Sequence, residues 1–311
     1  MTQIEDDSRD FRLDQEYQPQ KYFRHAGHNH WDAYDDIPQE LLDQDRERLI
    51  DDGLSEEEFS EFMEALAVFG AGEEAVTEDL APLMLALEDI NDQMFVSSQI
   101  YDEAKHTQFF DRYWREVVLP VAEELGLEWQ YPTNQEFFGE GCISMFDKNE
   151  AAMERLLTED TPEIRARAFS HYHLVIEGVM AQTGYYAFDS AFSARGDDIS
   201  IREFPDLDGL IEGMSYIRGD EGRHVGFGMF KVQQLLADGV DEAAVHETMT
   251  DLMPDVMSVI DQFELLFHPE PLANFASEKF QQRMETMTDA DAAVPTLEEL
   301  DQVEGTAPSQ N

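Results

Sequence analysis

Two Glu-x-x-His motifs carry the clearest chemical signal in this sequence: Glu103–His106 in YDEAKHTQFF and Glu221–His224 in GDEGRHVGFG. Residues three positions apart on a helix project from the same face. A carboxylate and an imidazole placed in this way can bind one metal ion together. One such motif is weak evidence in an acidic chain. Two of them, each on a long helical segment, predict a pair of metal positions.

Two further glutamates, Glu74 and Glu177, complete the order Glu, Glu-x-x-His, Glu, Glu-x-x-His along the chain. Glu74 lies in VFGAGEEAVT, and Glu177 lies among apolar residues in HYHLVIEGVM. A carboxylate is costly to bury among apolar side chains unless a partner offsets its charge. In ferritin-like carboxylate proteins, two helices each supply one glutamate and two others each supply a Glu-x-x-His motif. We therefore predict a dinuclear site with the ligands Glu74, Glu103, His106, Glu177, Glu221 and His224.

The ligand types restrict the metals. Four carboxylates and two imidazoles provide hard oxygen and nitrogen ligands, which suit iron and manganese and are poor for copper(I). Their four negative charges balance two divalent ions, and oxygen can bind where those ions keep open positions. Asp220 precedes the second chelating glutamate, and we expect it to orient a histidine across the bundle. His171 and His173 flank Glu177, and we interpret them as core or surface residues.

The elements that position these residues are predicted to be long helices. Ser55 with Glu58 predicts a capping box at the start of the first one, and Thr161 with Pro162 predicts the start of the third. No segment alternates convincingly between apolar and polar residues, so the predicted class is all-α, a ferritin-like four-helix bundle with extra helices and the dimetal site inside. The predicted regions are a loop-rich N-terminal extension packed on the bundle (1–54), the helical domain (55–287) and an acidic, disordered tail (288–311).

The net charge of the chain indicates the environment in which the protein works and not the reaction that it catalyses. The sequence has 69 acidic and 20 basic residues, a formal net charge of −49, and such a surface repels nucleic acid and anionic membranes. Because the acidic residues are dispersed, we interpret them as an adaptation to high salt. The single cysteine, Cys142, excludes an internal disulfide. The polar N-terminus and the lack of a long uncharged apolar run predict a soluble, cytoplasmic protein.

Five segments around the candidate ligands share features with one known family. They are KYFRHAGHNHWD, GEEAVTEDLAPLM, DEAKHTQFF, HYHLVIEGVMAQTGYYAF and DEGRHVGFGMF, and they span roughly residues 21–231. These segments resemble the ligand-binding oxidases that are similar to the small subunit of ribonucleotide reductase. The resemblance implies a homodimer with a manganese/iron centre on the six ligands, although an iron/iron centre would suit them too. It also implies a long-chain fatty acid in an apolar tunnel, and a two-electron oxidation by oxygen that joins Val76 to Tyr172 covalently.

The main alternative is a reductase small subunit, which generates a radical for a large subunit. Many such subunits carry a radical tyrosine four residues after the first motif's histidine, where this sequence has Phe110. They also relay the radical through a tyrosine in the C-terminal tail, whereas the last tyrosine here is Tyr216. A third class, ferritin-like storage proteins, would form a cage. The sequence favours an oxygen-dependent oxidase, and the resemblance implies that its ligand is small and lipid-like.

Overall fold

The protein is helical throughout the residues that the computed structural model describes, which are 13–51, 54–128, 131–194 and 199–288. The α-helices in chain order are α1 (Gln18–His28), α2 (Gln39–Asp51), α3 (Glu56–Ala86), α4 (Ile90–Tyr113), α5 (Leu119–Leu125), α6 (Glu140–Arg155), α7 (Pro162–Phe169), α8 (Gln182–Phe192), α9 (Asp208–Ala237), α10 (Glu242–Ile260) and α11 (Pro269–Thr288). Two π-helical segments, Trp114–Val118 and Ser170–Ala181, join α4 to α5 and α7 to α8, and Gln135–Phe137 forms a 3₁₀ turn. The predicted all-α class is confirmed.

The bundle core consists of α3, α4, the continuous α7–α8 helix and α9, which pack on one another around the Glu-x-x-His motifs. Helices α6, α10 and α11 cover its outer side. Within the described ranges, none of the helices carries an apolar stretch sufficient to cross a lipid bilayer.

The predicted helix starts are confirmed by their caps. The Ser55 side chain accepts a hydrogen bond from the Glu58 backbone N–H, and the Glu58 side chain accepts one from the Ser55 N–H, so α3 begins with a capping box. The Thr161 hydroxyl accepts a hydrogen bond from the Ile164 N–H at the start of α7. These local contacts satisfy N–H groups that have no partner inside their own helices.

The third bundle helix is interrupted by the long π-helical segment Ser170–Ala181. A π-helix forms i→i+5 hydrogen bonds, is rare, and is frequent at functional sites. Tyr172 and Glu177 are five residues apart, so in an α-helix their side chains would diverge by about 140°. The wider turn brings both of them towards the bundle interior, where both are buried.

The prediction of a loop-rich region over 1–54 is wrong for α1 and α2, which occupy much of it. Leu42, Asp45 and Leu49 recur at helical spacing and form the buried face of α2. The Asp45 carboxylate accepts hydrogen bonds from the backbone N–H groups of Gly209 and Leu210 at 3.2 and 2.9 Å. Helix α2 therefore caps the N-terminus of α9, which carries the second Glu-x-x-His motif. Residues 1–12 and all of the predicted tail except Thr288 lie outside the described residues.

Two glycines of α9 are expected to respond in opposite ways to substitution by alanine. A Cβ on Gly228 would lie 2.1 Å from the Cβ of His173, whereas a Cβ on Gly219 would have no atom within 4 Å. We expect Gly228→Ala to destabilise the protein by about 1–3 kcal/mol because the core must shift. Gly219→Ala should stabilise it by about 0.5–1 kcal/mol through helix propensity. Denaturant unfolding of both variants measures this, and equal effects would contradict the packing described here.

Candidate metal centre

The carboxylate that α3 contributes to the site comes from Glu73. Glu73 is buried, and its Oε2 lies 3.4 Å from His106 Nδ1. Glu74 is exposed and lines a different cavity, next to Phe110 and Trp114. Adjacent residues on an α-helix point about 100° apart, so one of the two faces the bundle interior and the other does not. The prediction of Glu74 as a ligand is wrong by one position.

Six buried side chains form two overlapping groups, and within each group one potential ligand atom per residue lies within 4.8 Å of all the others. The first group is Glu73, Glu103, His106 and Glu221, and the second is Glu103, Glu177, Glu221 and His224. Glu103 and Glu221 belong to both groups. The arrangement therefore offers two adjacent cation positions with two shared carboxylates between them.

Both imidazoles present Nδ1 to the carboxylates. His106 Nδ1 lies 3.2 Å from Glu103 Oε2 and 3.4 Å from Glu221 Oε1. His224 Nδ1 lies 3.1 Å from Glu103 Oε1 and 3.3 Å from Glu177 Oε1. Each histidine thus has one ring nitrogen available as a ligand on its own side of the shared carboxylates.

The other ring nitrogen of each histidine faces an aspartate across the bundle. His106 Nε2 lies 3.1 Å from Asp220 Oδ2, and His224 Nε2 lies 3.4 Å from Asp102 Oδ2. Each aspartate directly precedes the glutamate of the opposite motif. A carboxylate in this place fixes the tautomer and ring orientation of a metal-binding histidine. The structure therefore places Asp220 where the sequence argument put it, and it adds Asp102 as its counterpart.

Two buried cations balance these aspartates. Lys105 Nζ lies 2.9 Å from Asp102 Oδ1 and 2.8 Å from Asp220 Oδ2, and the Arg223 guanidinium contacts both carboxylates. Burial alone would raise the pKa of Asp220, but its hydrogen bond with His106 and the charges of Arg223, His106 and Lys105 hold that pKa well below its usual range. Asp220 is thereby kept ionised beside the histidine.

The segment between α1 and α2 also reaches this network. The Trp31 indole N–H donates to Asp220 Oδ2 at 2.8 Å, and the indole ring stacks on the His106 imidazole with 6.2 Å between centroids. Lys105 Nζ lies 4.8 Å from the centre of the same ring. The N-terminal region therefore closes one end of the site.

The donor set fits bound cations. Four buried ligand atoms make no hydrogen bond despite close neighbours: Glu103 Oε2, Glu177 Oε2, Glu221 Oε2 and His224 Nδ1. Leaving buried polar atoms without partners is costly. Burial raises the pKa of Glu73 to about 8 and also raises the pKa of Glu177 and of Glu221. Without added positive charge the Glu73 carboxyl group therefore retains a proton near neutral pH. Two divalent ions would satisfy the unpartnered oxygens and displace that proton.

Val76 and Tyr172 line one cavity of about 40 Å³ beside three carboxylates of the site, those of Glu73, Glu177 and Glu221. The Tyr172 hydroxyl donates to Glu103 Oε1 at 2.8 Å. Both side chains are buried, and burial together with the nearby glutamates raises the pKa of Tyr172 well above its usual value. Tyr172 is therefore a neutral phenol in contact with a carboxylate that both groups share.

A second cavity, of about 50 Å³, lies next to the first, on the side away from the carboxylate cluster. The two cavities share Val68, Phe69 and Met180 as lining residues. The lining of the second is almost entirely apolar and includes Phe188 and Phe263. The two cavities are therefore neighbours, and the lining of the first includes carboxylates of the cluster.

Sequence reasoning missed the role of Gln99, and it assigned His173 only to the core or surface. Gln99 Nε2 donates to Glu177 Oε1 at 2.9 Å and lies 3.4 Å from Glu103 Oε1. His173 Nε2 lies 3.2 Å from Gln99 Oε1, and burial lowers the pKa of His173 to about 3. The available signal was the position of Gln99 four residues before Glu103, which places both on one face of α4.

Comparison with known proteins agrees with this geometry. No family model matches the chain. The fold is similar to solved structures of mutants of an R2-like ligand-binding oxidase. One has an aerobically and another an anaerobically reconstituted Mn/Fe cofactor, each at 27% identity and a TM-score of 0.75, over 89% of this chain and 95% of that chain. The resemblance seen in the sequence is confirmed: the chain has the fold of the R2-like ligand-binding oxidases, relatives of the ribonucleotide reductase small subunit.

Proposed function

We propose that the protein is an oxygen-dependent oxidase with a dinuclear manganese/iron centre. The proposed ligands are Glu73, Glu103, His106, Glu177, Glu221 and His224. The observation that carries the proposal is the pair of overlapping buried groups that share Glu103 and Glu221. When bound, the two ions would supply the redox chemistry by which dioxygen is reduced and two electrons are withdrawn from an organic group.

The side chains around the centre have separate tasks in this proposal. Glu73 with His106 and Glu177 with His224 would hold one ion each, and the two shared glutamates would fix the distance between the ions. The aspartates beside the histidines would accept the Nε2–H of each imidazole, so that Nδ1 is the nitrogen directed at the ion. The apolar helix faces exclude water from the reacting groups.

The proposed oxidation joins Val76 to Tyr172. A C–H bond of Val76 and the O–H bond of Tyr172 would be lost, a covalent bond between the side chains would form, and two electrons and two protons would pass to dioxygen. Glu103 is placed to take the phenolic proton because its Oε1 already accepts the hydrogen bond from the Tyr172 hydroxyl. The shared cavity supports the pairing of these two residues.

The ligand in this proposal is lipid-like, with a long apolar chain, and would extend through both neighbouring cavities. Their apolar lining supports this choice. Because the cavities are about 40 and 50 Å³, a long-chain ligand would have to displace the side chains of Phe69 and Met180, which both cavities share. The proposal further includes a homodimer, a cytoplasmic location and a high-salt environment, the last supported by the net charge of −49.

Phe110 supports an oxidase over a radical-generating reductase subunit. It stacks on Phe69 with 5.7 Å between ring centroids and has no hydroxyl group to form a tyrosyl radical. This side chain contributes apolar packing next to the ligand path.

Mass spectrometry of the protein before and after oxygen exposure tests the proposed function. Protein loaded anaerobically with Mn(II) and Fe(II) should lose two hydrogens on exposure to oxygen, and the loss should map to a linked pair of peptides that contain Val76 and Tyr172. Tyr172→Phe is the matched control and should bind the metals without forming the link. A fully loaded and oxidised wild-type protein without the link would contradict this oxidation.

A further inference from the structure

The two Glu-x-x-His motifs repeat one another residue by residue. Asp102, Glu103, Lys105 and His106 on α4 correspond to Asp220, Glu221, Arg223 and His224 on α9. The contacts repeat as well, since each histidine faces the aspartate of the other motif and both cations lie between the two aspartates. To a first approximation the two cation positions have equivalent surroundings.

The two motifs differ one helical turn before their glutamates. Gln99 lies four residues before Glu103, whereas Ile217 lies four residues before Glu221. Both side chains are fully buried. An amide with two N–H donors therefore faces one half of the centre, and an aliphatic side chain occupies the corresponding place in the other half.

The Gln99 amide contacts the terminal carboxylate of the His224 half. Its Nε2 lies 2.9 Å from Glu177 Oε1. In the other half, the described side-chain contact of the Glu73 carboxylate is with the imidazole of His106, at 3.4 Å. The two terminal carboxylates thus differ in their partners: Glu177 accepts a hydrogen bond from an amide, and Glu73 does not.

The orientation of Gln99 follows from its neighbours. A carboxylate that holds a metal ion is ionised and only accepts hydrogen bonds, so in the loaded centre the amide nitrogen of Gln99 must face Glu177 and its oxygen must face His173. His173 Nε2, 3.2 Å from that oxygen, must then carry the proton. His173 is itself held closely, because Gly228 leaves room for its Cβ and Gly178 leaves room for its carbonyl oxygen. In this hydrogen-bonded series, His173 therefore donates to Gln99, and Gln99 donates to Glu177.

We propose that Gln99, oriented by His173, is a positioning residue that makes the two metal positions unequal. Its amide fixes the orientation of the Glu177 carboxylate, whereas the Glu73 carboxylate has no such donor among the described residues and can rotate. This inference rests on the proposed dinuclear centre. An N–H donor on a ligating carboxylate restricts its rotation and withdraws charge from its oxygens, and both effects change the preference of a position for one divalent ion over another. Gln99 would thus direct manganese and iron to different positions.

Matched substitutions at the two corresponding places test the proposal. Gln99→Met removes the amide at nearly constant length, and Ile217→Met introduces the same side chain in the other half. Each protein is loaded anaerobically with equal, limiting amounts of Mn(II) and Fe(II), and anomalous diffraction at the two absorption edges gives the occupancy of each metal at each position. We expect the wild-type preference between positions to fall about tenfold in Gln99→Met and to change less than about twofold in Ile217→Met.

The outcomes separate this inference from the function on which it rests. A Gln99→Met protein that binds two ions with the wild-type distribution would overturn the role of Gln99. A wild-type protein that binds no pair of ions would overturn the proposed centre itself. His173→Phe, which keeps a ring of similar size and removes the N–H, is a second variant if Gln99→Met fails to fold. It should reduce the preference in the same direction, and a wild-type distribution in it would count against the orienting role of His173.

Discussion

Glu73→Ala is expected to lower the affinity of the protein for metal by more than about a hundredfold, above the loss typical for residues that only support a ligand. Glu74→Ala is expected to leave the affinity unchanged. Glu73 is buried with its Oε2 3.4 Å from His106 Nδ1, so its removal takes the terminal carboxylate from one cation position. Glu74 is exposed and lies outside both groups of potential ligands.

The comparison is well controlled because the two residues are adjacent, chemically identical and on one helix. Titration of the metal-free variants with Mn(II), with free ion measured by electron paramagnetic resonance, gives the affinity, and circular dichroism checks that the helices are retained. Loss of binding in Glu74→Ala with retention in Glu73→Ala would reverse the assignment. Equal losses in both would indicate a general effect of charge and not a ligand.

The sequence contains enough information to choose between these two glutamates, but the motif order alone does not provide it. The order of the four ligand segments identifies the site, but it does not resolve neighbouring residues. The heptad spacing of α3 does resolve them, because Glu73 lies seven residues from Leu66 and seven from Leu80, both buried. Residues seven apart lie nearly in line on a helix. Periodicity over the whole helix was therefore better evidence for the ligand than the motif alone.

Other features depend on contacts between distant segments and carry no local signal. The hydrogen bond between Gln99 and Glu177 joins residues 78 positions apart, and the one between Trp31 and Asp220 joins residues 189 apart. The π-helical segment around Tyr172 is likewise not encoded by a recognisable local pattern. Short-range signals such as the Ser55 cap were sufficient for helix starts because their partners lie within one turn.

The metal-free protein is expected to lose stability as the pH rises from 6 to 8, and bound metal is expected to remove this dependence. Burial raises the pKa of Glu73 from 4.5 to about 8, so the folded protein keeps a proton that the unfolded chain has already lost. The unfolded state then binds fewer protons, and the free energy of unfolding falls with rising pH, by at most about 1.4 kcal/mol per pH unit for each such proton. The stabilisation that comes from the raised pKa of Glu73 is fully present below pH 4.5 and is lost as the pH rises to about 8.

The two histidines change stability in the same direction. Burial alone would lower the pKa of His106 and His224, but the surrounding carboxylates raise both above the usual value of 6.5, so the folded state again holds protons that the unfolded chain releases. Divalent ions require the deprotonated ligands, so binding releases these protons and becomes tighter as the pH rises.

Thermal unfolding midpoints of metal-free and metal-loaded protein at pH 6, 7 and 8 measure this linkage. The measurements are made in 1 M KCl, where the Debye length of about 3 Å suppresses repulsion between surface carboxylates. Glu73→Gln removes one of the titrating groups and keeps the side chain's shape, so the metal-free variant should show a shallower pH dependence than the metal-free wild type. Equal midpoints at pH 6 and 8 for the metal-free wild type would mean that folding takes up no net protons in this range, and would contradict the expected loss of stability.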